Sequence, residues 1–68
     1  MSISRTTEIK SSSALSFDDA MKKGIDRALK TLENVRGAWI KNQEVIIDEK
    51  GKISEYQIQL MIKFMLKE

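Results

Sequence analysis

The sequence has no cysteine, no histidine and no proline, and only three glycines among its 68 residues. Without cysteine there is no disulfide and no thiolate ligand or nucleophile, and without histidine there is no imidazole base or ligand. The remaining polar residues do not place a base of suitable pKa beside a nucleophile at any motif spacing. The composition therefore predicts a protein that is not an enzyme and has no metal site.

An excess of charge of one sign is also missing. Twelve Lys and Arg residues oppose ten Asp and Glu residues, and Lys22 and Lys23 are the only adjacent basic pair, whereas nucleic-acid binding needs clustered basic residues. Apolar runs such as residues 45–47 are too short to cross a bilayer, and residues 1–5 lack the apolar core of a signal peptide. We therefore expect a cytoplasmic protein without nucleic-acid or membrane partners.

The length predicts a single small domain over residues 1–68. One core of this size contributes only a few kcal/mol, and small chains without disulfides or metals commonly gain further stability by oligomerisation. The small size of the chain and its lack of disulfides and metals thus predict a homo-oligomer.

The first half of the chain predicts a strand followed by a helix. Residues 3–10 alternate weakly between apolar and polar side chains, as a half-buried strand does, and Ser11–Ser13 follow as a small polar linker. Ser16 is placed to cap the first turn of a helix, with Asp19 placed to reach back to it. Apolar residues then recur every three or four positions, which predicts an amphipathic helix over residues 17–34.

After the helix the repeat of the apolar residues changes from about 3.6 residues to 2 residues, which predicts two further strands. The second strand covers residues 37–48, and Gly51 provides the left-handed conformation that a hairpin loop needs. The third strand covers residues 52–67. Its apolar side chains alternate without a break at Tyr56, Ile58, Leu60, Ile62, Phe64 and Leu66.

These elements predict an α+β fold of order β-α-β-β, with a three-stranded antiparallel sheet packed on one amphipathic helix. The helix covers the face of residues 56–66, with Ala38 and Ile40 beside it and Phe64 in the core. The opposite face is expected to carry Gly37, Trp39, Val45, Ile47, Gln57, Gln59, Met61 and Met65. That face is too apolar for bare solvent, so another subunit, a ligand or both should cover it.

Three features allow both a functional and a structural interpretation. Gly24 is either a tight contact site or a tolerated small residue within the helix. Ser11–Ser13 could bind an anion at the helix start or simply connect two elements. Asp18, Asp19 and Asp26 could bind a cation or serve as capping and solvated charges. We favour the structural interpretation in each case.

Several short segments together resemble the dodecins, very small flavin-binding proteins in which a three-stranded sheet partly wraps one helix. The segments are Ser12-Ser13, Phe17-Asp18-Asp19-Ala20, Ile25-Asp26-Arg27-Ala28, Lys30-Thr31-Leu32-Glu33-Asn34-Val35-Arg36, Glu55-Tyr56-Gln57-Ile58 and Lys63-Phe64. The resemblance covers about residues 8–66. It implies a hollow homo-dodecamer that binds a flavin, FMN or riboflavin, in pairs near subunit contacts and stores or sequesters it without turnover.

The resemblance also assigns candidate cofactor-binding residues. In the family, a tryptophan that opens the second strand stacks on the isoalloxazine ring, and a glutamine on the third strand hydrogen-bonds the polar edge of that ring. The glutamine corresponds to Gln57, whereas the tryptophan position corresponds to Gly37. By analogy with bases stacked on aromatic side chains, the lost contact is worth about 1 to 3 kcal/mol. Flavin binding would weaken by about one to two orders of magnitude.

Trp39 leaves two alternatives open. It lies two residues beyond Gly37 and therefore on the same face of the strand. It is either a displaced stacking platform, or it fills the space left by Gly37 and packs against a neighbouring subunit. Gln57 in turn is either a ligand contact or a polar residue at an interface. The sequence thus favours a flavin-binding dodecin-like cage, with a structural assembly that has lost flavin or holds a different small ligand as the alternative.

Overall fold

The computed structural model describes residues 3–66. It contains β1 (Ser4–Ser13), α1 (Phe17–Thr31), β2 (Val35–Ile47) and β3 (Ile53–Met65). The strands form one antiparallel sheet in the order β1-β3-β2, and α1 packs mainly on β1 and β3. The predicted α+β fold with one helix on a three-stranded antiparallel sheet is confirmed. We call the face of the sheet opposite α1 the outer face.

β1 continues through the serine triplet that the sequence predicted to be a linker. Ser11 pairs with Ile58 and Ser13 pairs with Tyr56 in the antiparallel ladder. The strand extends because both hydroxyl groups find partners: Ser11 Oγ donates to the Ala20 carbonyl at 2.7 Å, and Ser13 Oγ accepts from a backbone amide. The prediction of a linker at Ser11–Ser13 was wrong.

The helix begins as predicted and ends three residues earlier. The Asp19 amide donates to Ser16 Oγ at 3.0 Å, so Ser16 is the N-cap. At the other end, Leu32 has extended backbone and Asn34 has a φ of 58°, a left-handed conformation that asparagine tolerates better than most residues. The chain therefore leaves the helix after Thr31 and turns into β2.

The second and third strands form a long hairpin. Gly51 in the connecting loop has a φ of +80°, the left-handed conformation predicted for that position. β2 begins at Val35 rather than at residue 37, and β3 is assigned through Met65. The predicted end of the third strand, Lys67, lies outside the described residues.

A bulge in β2 reverses the alternation that the sequence predicted for the second half of this strand. The register on β3 shifts between Ile40 and Asn42, where Lys41 is the additional residue. Since successive side chains point to opposite faces, one inserted residue moves those that follow to the other face. Val45 consequently pairs with Tyr56 on the helix side, and its predicted placement on the outer face was wrong.

The buried core lies between α1 and β3 and consists of Ala20, Ala28, Ile58, Leu60 and Ile62. Ala38 and Ile40 pair with core residues of β3 but are exposed, because α1 contacts β2 little. Phe64 is only half-buried and is not among these core residues. The prediction that Phe64 belongs to the core was therefore wrong, whereas Ala38 and Ile40 lie on the predicted side of the sheet.

The helix covers only part of the sheet. The molecule extends 53 Å along its longest axis, whereas a helix of 15 residues is about 22 Å long. Apolar side chains beyond the helix remain open, among them Ile47 and Ile53 near the end of the hairpin. The sheet thus offers apolar surface that α1 does not cover.

Gly24 is buried where the helix meets the sheet. A methyl group built on Gly24 would lie 2.6 Å from Leu60 Cδ1 and 3.3 Å from Ser11 Cβ. The interpretation of Gly24 as merely a tolerated small residue was wrong, since the packing leaves no room for a larger one. The close contact is made by a side chain of the sheet and not by another backbone.

Candidate functional site

Gln57 lies in the middle of the sheet on the outer face. It is half-buried, with Ser12 of β1 opposite it on one side and Glu44 of β2 opposite it on the other. These three residues contribute to an open trough of about 300 Å³ across the sheet. The polar side chains along the trough include Lys10, Ser12, Asn42, Glu44, Gln57 and Gln59.

The lining of the trough is rich in carboxamides. Each carboxamide offers both a carbonyl acceptor and two N–H donors, and the trough also contains one cation, Lys10, and one anion, Glu44. No side-chain hydrogen bond within residues 3–66 uses the carboxamide of Gln57. The trough can therefore hydrogen-bond a polar heterocycle, with Gln57 available to donate or to accept.

A polar network beside Gln57 connects all three strands. Gln59 Nε2 on β3 donates to Glu8 Oε2 on β1 at 3.2 Å. Lys41 Nζ on β2 donates to the other oxygen of the same carboxylate at 3.1 Å. Glu8 thus holds a carboxamide and an ammonium group from two different strands. Since Lys41 is the bulge residue of β2, this network lies where the register of the sheet changes.

Gly37 and Trp39 share the outer face with Gln57 but are distant from it along the sheet. Trp39 pairs with Met61 and Gly37 pairs with Lys63, four and six residues from Gln57 along β3. At about 3.3 Å per residue these separations are about 13 Å and about 20 Å. Neither residue lines the trough, and Trp39 is 49% exposed. Within one chain, the three predicted residues do not form one pocket.

Ser11–Ser13 and Asp19 use their polar groups to join β1 to the helix start. Ser13 Oγ donates to the Asp19 carboxylate at 2.5 Å, and Lys23 forms an ion pair with the same carboxylate at 3.2 Å. The hydrogen bond from Ser13, followed by the bond and charge of Lys23, lowers the pKa of Asp19 below its ordinary value of 3.8. The predicted return of the Asp19 side chain to Ser16 is replaced by this contact with Ser13.

Sequence reasoning missed several residues of the trough. Gln59 lies two positions from Gln57 on the same face, so the alternation of β3 already carried the signal for it. An uninterrupted alternation from Ala38 and Ile40 would put Asn42 and Glu44 on the helix side. They pair with Gln59 and Gln57 on the outer face because of the bulge at Lys41, which no residue type near that position predicts.

The described residues form neither a metal centre nor a membrane-spanning helix. No group of three or more acidic side chains within residues 3–66 is arranged to hold a metal ion. In the same part of the chain, no helix has the length and apolarity required to cross a membrane.

The β-α-β-β order, the sheet order and the trough on the outer face define a small α+β domain with an open polar trough. Residues 3–67 match the dodecin family model, and the chain therefore belongs to the dodecin family. The predicted family assignment is confirmed. Among curated proteins, none matches this chain.

Solved structures of dodecins superpose closely on this chain. An arginine-to-alanine variant of the Thermus thermophilus dodecin is 28% identical, with a TM-score of 0.89 and 100% of each chain covered. The Streptomyces davaonensis dodecin is 28% identical, with a TM-score of 0.89 over 98% of this chain and 97% of that one. A calcium-chelating dodecin from Mycobacterium tuberculosis is 26% identical, with a TM-score of 0.81 over 96% of this chain and 91% of that one.

Proposed function

We propose that this protein binds a flavin, FMN or riboflavin, without chemical turnover and stores or sequesters it in a hollow homo-dodecamer. The observation that carries the proposal is the placement of Gln57. This residue matches the family's flavin-recognising glutamine, and its carboxamide is half-buried in a polar trough with no side-chain partner in the described part of the chain. It is therefore available to hydrogen-bond the polar edge of an isoalloxazine ring.

The binding is expected to be weak. Gly37 offers no ring for stacking, and Trp39 lies about 13 Å from Gln57 along the same chain. The residues that line the trough include no aromatic side chain, so the main apolar contact to a flat ring must come from elsewhere. A neighbouring subunit that covers the outer face is the source we propose, because Trp39 and Met61 lie exposed or half-buried there.

The absorption spectrum of the purified protein tests flavin binding most directly. A protein that retains flavin is yellow and absorbs in the visible region, and titration of riboflavin or FMN with protein quenches the flavin fluorescence. We expect quenching only at high protein concentration. A flavin fluorescence that stays constant at every protein concentration would contradict the proposal.

The proposed assembly is tested separately by light scattering on a sizing column. We expect one species with twelve times the mass of the chain, because the open outer face and the apolar end of the hairpin need cover. A monodisperse monomer or dimer at micromolar concentration would refute the cage. This result is independent of whether the protein is yellow.

The alternative is a dodecin-like assembly that has lost flavin or holds a different small ligand. The absence of a ring at Gly37 and the polar lining of the trough favour it. The two functions differ in one experiment: replacing Gly37 with tryptophan restores or strengthens flavin binding only if the family's site is otherwise intact. No binding by either the native protein or the Gly37→Trp variant would refute flavin binding and favour the alternative.

A further inference from the structure

Gln59 is the next outer-face residue of β3 after Gln57, and both line the trough. Gln59 differs from Gln57 because its carboxamide is already held. Its Nε2 donates to Glu8 Oε2 at 3.2 Å. An ionised carboxylate only accepts hydrogen bonds, so Glu8 fixes which end of the Gln59 carboxamide faces β1. The carbonyl oxygen of Gln59 takes part in no side-chain hydrogen bond between described residues, so it is left as an acceptor for a ligand.

The orientation of Glu8 is in turn supported by Lys41. Lys41 Nζ donates to Glu8 Oε1 at 3.1 Å, so the two oxygens of the carboxylate have different partners on different strands. This arrangement orders the Gln59 side chain before a ligand arrives. Side chains that are ordered in advance lose less conformational entropy on binding, which increases affinity.

We propose that Gln59 is a second recognition residue of the trough, whose carbonyl oxygen accepts a hydrogen bond from an N–H group of the ligand. Glu8 and Lys41 are positioning residues for that carbonyl. The inference rests on the proposed flavin binding and specifies its chemistry. The polar edge of an isoalloxazine ring has an imide N–H between two carbonyl groups, so an oriented acceptor beside the free carboxamide of Gln57 complements it.

Glu44 is the competing acceptor and therefore the control. It lies directly opposite Gln57, and its carboxylate also only accepts hydrogen bonds. Unlike Gln59, Glu44 is not held by another side chain in any hydrogen bond or ion pair between described residues. Replacing Glu44 by leucine removes this competing acceptor. If the oriented carbonyl of Gln59 recognises the imide, the variant will change the affinities for riboflavin and for its methylated form by the same factor.

The experiment compares riboflavin with riboflavin methylated at the imide nitrogen, by fluorescence titration of the full-length protein. We expect the native protein to bind riboflavin about fivefold more tightly than the methylated form, the effect of one hydrogen bond. Gln59→Leu should bind both flavins equally, at the affinity that the native protein shows for the methylated form. Glu44→Leu should change both affinities by the same factor and so keep the native ratio between them.

A second variant separates recognition from a structural effect at position 59. Glu8→Gln keeps the Gln59 side chain but removes the carboxylate that fixes the orientation of its carboxamide. The preference for riboflavin over the methylated form should therefore fall, while the size of the assembly is unchanged. A Gln59→Leu protein that keeps the native preference would overturn the inference and leave flavin binding standing. A native protein that binds neither flavin would overturn the proposed function and this inference together.

Discussion

Gly24 of α1 faces Leu60 of β3 at the closest approach of the helix to the sheet, with a methyl group at Gly24 falling 2.6 Å from Leu60 Cδ1. Leu60 is fully buried, with 0% of its surface exposed, so its side chain has little room to move away. The missing side chain at residue 24 thus determines how deeply the helix packs on β3.

Gly24→Ala should lower stability, although alanine is the better helix former. The helical gain is about 1 kcal/mol, whereas overpacking a buried site costs about 1 to 3 kcal/mol, so we expect a net loss of up to about 2 kcal/mol. Chemical unfolding at fixed protein concentration measures it. The control is Gly24→Ala combined with Leu60→Val, which removes the clashing methyl group and should show favourable coupling between the two sites. Simple additivity of the two substitutions would contradict the contact.

Leu60→Ala should be among the most damaging truncations in the chain. Removal of a fully buried leucine costs about 2 to 5 kcal/mol, from lost burial and the cavity that remains. Phe64→Ala should cost less, since Phe64 is half-buried and lies outside the core cluster. Thermal unfolding of both variants, with assembly size monitored, tests this order. A larger loss in Phe64→Ala would mean that a neighbouring subunit buries the ring.

Gly37→Trp should strengthen flavin binding by about 1 to 3 kcal/mol, by restoring a stacking surface. The backbone there accepts a side chain, because a Cβ at residue 37 would meet only Lys63 Cε at 3.7 Å. Riboflavin titration measures the change. Gly37→Leu is the matched control, since it adds apolar surface without a ring and should give a smaller gain. Equal gains in the two variants would exclude stacking as the cause.

Trp39→Ala should weaken assembly. Trp39 pairs with Met61 on the outer face and is 49% exposed in one chain, and a tryptophan buried at an interface typically contributes about 2 kcal/mol or more. Light scattering across a dilution series should show smaller species in the variant, whereas Trp39→Phe should retain most of the assembly. Intact assembly with lost flavin binding would instead identify Trp39 as the stacking platform.

Asp19→Asn should reduce the acid sensitivity of the fold. The hydrogen bond from Ser13 and the ion pair with Lys23 hold the pKa of Asp19 below 3.8. Because the folded state favours the ionised form, the stabilisation is present above about pH 4 and is lost as the pH falls below 3.8 and through the lowered value. The variant should therefore melt at a lower temperature than the native protein near neutral pH, and the two should converge in acid.

The control for this pH dependence is Asp18→Asn. Asp18 is exposed in the same first turn of α1 and takes part in no side-chain hydrogen bond or ion pair between described residues. Melting temperatures of both variants and of the native protein are measured from pH 2 to pH 7 at constant protein concentration, and Asp19→Asn should show the larger change. An equally large pH-dependent difference in both variants would show that the contact with Ser13 is not the cause.

The sequence by itself determined the features that depend on neighbours along the chain. Ser16 precedes the segment whose apolar residues recur with helical spacing, and it locates the helix start because its hydroxyl accepts from the amide of Asp19, only three residues away. The alternation of residues 56–64 identifies the helix side of β3, since a strand has a fixed period of two. Gly51 marks the hairpin loop because few other residues adopt a positive φ without strain. The outer-face position of Gln57 follows from the same alternation.

The tertiary structure alone decided the features that depend on distant partners. Ser11–Ser13 extend β1 because β3 and α1 supply partners for their backbone and hydroxyl groups. The bulge at Lys41 moves Asn42 and Glu44 into the trough, and the sequence contains no residue that requires a bulge there. The trough therefore combines Gln57 and Gln59, which periodicity placed on the outer face, with residues that only strand pairing brings beside them. Residues close together in the sequence determine the spacing of apolar side chains and the helix cap. The register of a strand is set instead by its packing against another strand.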